Sequence, residues 1–93
     1  MPSQDHKSIE LDCGIAQQRI VSWLEGELRL PHEDDGYRYS HEGTTCIART
    51  QPLENRTVGT VSIERTALYI EGEADAVAAF MHLFTLRFIS AGG

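Results

Sequence analysis

Two clusters of imidazole and carboxylate groups stand out in this 93-residue sequence: His32-Glu33-Asp34-Asp35 and His41-Glu42. Side chains of these types hold zinc or manganese. Their spacing fits no established metal site, and the first cluster follows Pro31 in a stretch rich in acids and breakers. A solvated acidic loop is the stronger reading, and no metal ligands are assigned. The two thiols, Cys13 and Cys46, offer nucleophiles. Cys13 precedes a helical pattern, a position that lowers a thiol's pKa. It also alternates inward with Ile9 and Leu11, as a buried and inert cysteine does. The sequence has no serine elbow, phosphate loop, Cys-x-x-Cys pair or dinucleotide fingerprint. No catalytic residue and no cofactor is assigned.

The chain closes on Gly92-Gly93. In ubiquitin-like carriers a diglycine tail is adenylated at its last carboxylate, here that of Gly93, because only glycines thread the activating enzyme's narrow tunnel. Glycine is equally the preferred residue just past a helix end, where it takes positive φ. Carriers enter their tails from a strand of a β-grasp fold, which opens with a hairpin. This sequence opens strand then helix, so the helix stop is the stronger reading. Trp23, Tyr37, Tyr39 and Tyr69 form a third candidate: amphipathic aromatics that line a small-ligand pocket between helix and sheet. Aromatic rims of a small core have the same composition.

The elements that position these residues follow from periodicity. Ninety-three residues make one domain, with the first six as a loose end. Ile9, Leu11 and Cys13 alternate with polar residues, the pattern of a half-buried strand. Ala16, Ile20, Leu24 and Leu28 recur every four residues, an amphipathic helix of about four turns ending before Pro31. Residues 37–50 read as two strands around a turn at His41-Glu42-Gly43. "QPLENR" reads as a further turn, and 57–72 as two strands bent near Glu64-Arg65. Val77, Phe80, Met81, Phe84 and Phe88 give a final helix. In the alternative, residues 85–89 form a last strand.

The fold class is α+β: a two-layer antiparallel sheet of four or five strands with two helices, in the order β-α-β-β-β(-β)-α. That order looks like one half of the TATA-binding protein, a topology shared with the larger helix-grip lipid binders; the likeness carries no function. With a final strand the arrangement becomes ferredoxin-like.

Composition bounds the partners. Fourteen acids against eight bases, seven of them arginine, leave a net charge of −6. That balance repels phosphate backbones and disfavours nucleic acid. The polar start is no signal peptide, and no apolar run spans a bilayer, so a cytoplasmic protein without membrane partners is expected. The last helix is apolar on two sides. Leu83, Leu86 and Ile89 lie opposite the Val77 stripe, and 93 residues provide no third layer to cover them. A non-catalytic interaction or self-associating module, with that face as its contact, is the leading expectation. Its partner would be another protein or a second copy. The carrier at Gly93 and the small-ligand binder are the alternatives.

Overall fold

The computed structural model describes residues 5–89. It is an α+β fold in which five antiparallel strands form one sheet and both helices pack on one side of it. The strands are β1 (His6–Cys13), β2 (His32–Glu33), β3 (Gly36–His41), β4 (Thr44–Val58) and β5 (Val61–Glu73), ordered β1-β5-β4-β3-β2 across the sheet. Helix α1 (Gln17–Ser22) follows β1 and runs without a break into a wider π turn (Trp23–Glu27). Helix α2 (Ala74–Phe88) follows β5 directly. The helix continues through Phe88, so residues 85–88 are not a strand, and the sheet order is not ferredoxin-like.

Alternation in β1 places Ile9, Leu11 and Cys13 opposite Ile70, Leu68 and Thr66 of β5, on the face the helices cover. Ile20 and Leu24 of the first helix and Val77, Phe80 and Phe84 of α2 fill that layer and are completely or almost completely buried. Trp23 stands among three rings, with centroids 5.5, 5.9 and 5.4 Å from Phe80, Phe84 and Phe88. The buried Thr66 hydroxyl donates to the Ile15 carbonyl at 2.6 Å, fixing the chain where it leaves β1 for α1. Gly72 of β5 lies so close to β4 that a Cβ there would sit 2.5 Å from the Cys46 Cα, so only glycine fits without movement.

Several expected boundaries move. Residue 6 begins β1, and the Asp5 carbonyl accepts from the Ala74 N–H at 2.8 Å, so position 6 lies in the sheet and position 5 is tied to the start of α2. The remainder of the expected loose end, residues 1–4, lies outside the described residues, as do Gly92 and Gly93. "QPLENR" is no turn: it runs through β4, with a bulge between Leu53 and Arg56. The hairpin turns instead at Gly59-Thr60, between the paired Val58 and Val61, and β5 passes straight through Glu64-Arg65. Gly59 has φ +64° and Thr60 has no positive φ, the signature of a type II′ turn.

The β4–β5 hairpin therefore outruns its neighbours. β3 pairs with β4 only as far as Ala48, and β1 pairs with β5 only from Thr66 onward. Residues 51–65 project as a two-stranded arm, and the molecule measures 55 × 25 × 21 Å. Its radius of gyration, 14.2 Å, exceeds the value of about 12 Å for a compact domain of this length.

Candidate interaction surface

The clusters singled out for chemistry are dispersed or already occupied. Glu33 pairs with Arg38 at 3.0 Å, Asp35 with Arg49 at 2.8 Å and Glu42 with His41 at 3.4 Å. His32 stacks on the Tyr37 ring, with centroids 4.6 Å apart. Among the described residues no group of three or more His, Cys, Asp or Glu side chains converges on a metal position. Both cysteines are buried and unpaired with each other. Burial pushes the Cys46 thiol up to about 11, and burial followed by the Asp12 charge raises that of Cys13. Cys13 is buried, as its alternation with Ile9 and Leu11 implied.

The four aromatic candidates do not share a pocket. Trp23 is core, and Tyr37 is buried with its hydroxyl donating to Glu25 Oε2 at 2.5 Å. Burial first, then that hydrogen bond, pushes the Tyr37 phenol up to about 12. The π turn brings Glu25 within reach, since one extra residue per turn rotates this stretch of helix. Tyr39 meets Phe80 edge-on at 5.7 Å. Tyr69 is the exception. It pairs with Glu10 and Arg49 on the outer face of the sheet, away from the helices.

That outer face is a charged mosaic. The Arg65 guanidinium grips the Asp12 carboxylate and holds it below the usual carboxylate range. Arg49 does the same for Asp35 and also approaches Glu71 at 3.9 Å. Four of the seven arginines, Arg38, Arg49, Arg65 and Arg87, are matched to the protein's own acids.

Among the described residues, two exposed apolar surfaces remain. On α2, Leu86 is 51% and Ile89 60% exposed, but the third residue of the expected contact, Leu83, is half-buried and packs against the core. The other surface is the arm. Val58 and Val61 are 57% and 58% exposed, and Ile63 joins them on the same face, as the pairings Arg56 with Ile63 and Val58 with Val61 require. Every residue from 51 to 64 is exposed except the half-buried Leu53. The sequence carried a usable signal for this feature: "VGTV" is a Gly-X two-residue hairpin between valines.

The arm's edges differ. In an antiparallel strand each residue points both its N–H and its C=O to one side, alternating along the chain. The residues flanking the two-residue turn, Val58 and Val61, form a hydrogen-bonded pair, so Ile63 and Arg65 also point toward β4. Ser62 and Glu64 then point their backbone groups away, to the edge that β1 leaves uncovered. On β4 the opposite edge is blunted. Pro52 faces Thr66 with no N–H to offer outward, and the bulge interrupts the strand just beyond it. Residues 61–65 contain neither a proline nor a bulge. No protein-family model, curated protein or solved structure matches the chain.

Proposed function

We propose that this protein is a non-catalytic association module that binds protein, a second copy of itself included, through the hairpin arm at residues 51–65. The observation that carries this reading is the length of β4 and β5 beyond their neighbours. An isolated two-stranded ribbon is marginal in water, and this one displays valines and an isoleucine with nothing over them. Leu86 and Ile89 of α2 form a secondary apolar patch in this reading, and Leu83 drops out of it. The paired arginines and the net charge of −6 disfavour nucleic acid as the partner. The small-ligand alternative loses support because Tyr69 lies on the far face. The carrier alternative rests on Gly93, outside the described residues, and the chain reaches that end from a helix rather than a strand.

Sedimentation velocity from micromolar to millimolar concentration tests the proposal. The comparison is with a variant in which residues 54–64 are replaced by Asn-Gly, so that the paired Leu53 and Arg65 flank the new turn. The parent should associate as concentration rises, and the shortened protein should remain a folded monomer. A parent that stays monomeric throughout removes self-association. Equal association of both proteins would move the contact to α2.

A further inference from the structure

We infer that the open edge of β5 at residues 61–65 pairs antiparallel with the same stretch of a second copy, about a two-fold axis at Ile63. This rests on the arm as the contact element and goes further by naming occupant, edge and register. The chemistry of the edge selects an extended strand, because Ser62 and Glu64 present unpaired N–H and C=O groups in the spacing a strand satisfies. Among the described residues no backbone hydrogen bond from another segment reaches residues 61–65 on that side.

Length and symmetry favour a second copy. The open stretch is bounded at one end by the Gly59-Thr60 turn and at the other by β1, which begins pairing at Thr66. Two identical stretches in antiparallel register fill each other from end to end. Ser62 of one copy meets Glu64 of the other as hydrogen-bonded pairs, and Ile63 meets Ile63 as the central pair.

Charge favours the same contact. The arm holds two acids, Glu54 and Glu64, and two bases, Arg56 and Arg65, and is neutral, so the rest of the chain carries the whole net charge of −6. Two copies approaching through their arms avoid the repulsion between their acidic bodies that other approaches meet. Five residues a side is far below the roughly 20–30 of a standard interface, so the pair is a transient dimer. Its product is a four-stranded ribbon, β4-β5-β5-β4, with Val58, Val61 and Ile63 of both copies on one face.

Site-directed cross-linking reads the register. In the full chain, Ile63→Cys should give a disulfide-linked dimer under mild oxidation, because the central pair is non-hydrogen-bonded with Cα atoms about 4.5 Å apart. Thr57→Cys, on the blunted edge, should not. Ser62→Pro removes the outward N–H from each copy, much as Pro52 does on β4, and should weaken association roughly 30-fold or more. Thr57→Pro places the same ring on the other edge and should leave association unchanged. Should Ser62→Pro not fold, Ile63→Lys sets two ammonium groups against each other at the axis and should likewise abolish the dimer. A parent that dimerises while Ile63→Cys and Thr57→Cys cross-link alike, or while Ser62→Pro and Ile63→Lys leave it intact, overturns this register and leaves the association reading standing. A monomeric parent overturns both.

Discussion

The Tyr37 hydroxyl donates to the Glu25 carboxylate across 2.5 Å, joining β3 to the π turn of the first helix. Because the phenol is the donor, the bond exists only while Tyr37 is protonated. Its pKa is raised from about 10 to about 12 in the fold. The stabilisation is fully present below pH 10 and is lost as pH rises through 12. A phenolate absorbance titration of the native protein should show one tyrosine ionising near pH 12, and Tyr37→Phe should delete that step. The variant should lose about 1–2 kcal/mol at neutral pH, the worth of one hydrogen bond to a charged group, as measured by urea unfolding. A step deleted near pH 10 rather than near pH 12 would mean that the bond is not formed in solution.

Both thiols should resist modification in the native state. Cys46 is 2% and Cys13 8% exposed, and burial raises both pKa values. At pH 8 a soluble alkylating reagent should label neither within the time in which it labels both in denaturant. Fast labelling of Cys13 alone would show that the junction between β1 and α1 opens.

Phe84 and Leu86 share a helix and face opposite ways. Phe84 is 1% exposed and borders Trp23 and Phe88. Phe84→Ala should cost about 3–5 kcal/mol, much of the stability of a domain this small. Leu86→Glu should stay within about 0.5 kcal/mol of the parent, as surface changes do. It should also leave the oligomeric state untouched. Urea midpoints separate the two, and a large loss at Leu86 would place that residue in a contact.

Glu42 occupies the first central position of the β3–β4 turn with φ +47°, followed by Gly43 at +85°. Both positive values define a type I′ turn, for which Asn-Gly is the preferred pair. Glu42→Asn should raise stability by about 0.5–1 kcal/mol in thermal or urea unfolding, since asparagine tolerates this conformation better than glutamate. No gain would mean that the 3.4 Å contact of Glu42 with His41 offsets the backbone strain.

What the sequence made legible was what burial writes into it. Ile9, Leu11 and Cys13 alternate, and Val77, Phe80 and Phe84 recur, because one side of each element meets the core. The arm follows no such rule. Val61 and Ile63 alternate with Ser62 and Glu64, but neither face is buried, and the arm's Pro52 and Asn55 imitate turn residues while sitting beside and in a strand bulge. Tyr69 emerges opposite Leu68 and Ile70, as strand alternation requires, and so does not join Trp23, Tyr37 and Tyr39 on the helix side. Leu83 shows the limit of a helical wheel, which gives a side chain's direction but not how far neighbouring side chains reach around to cover it.

Pro52 has a consequence for how many copies can join. A ribbon with one pairing edge closes on a two-fold partner and then has nothing left to offer, so growth stops at two. A ribbon with two pairing edges would accept a neighbour on each side and lengthen without end, as a fibre does. Under the proposed pairing, one missing N–H on β4, reinforced by the bulge beyond it, is what would keep the assembly finite. In the proposed association, restoring that hydrogen-bonding group and removing the extra residue would open a second pairing edge.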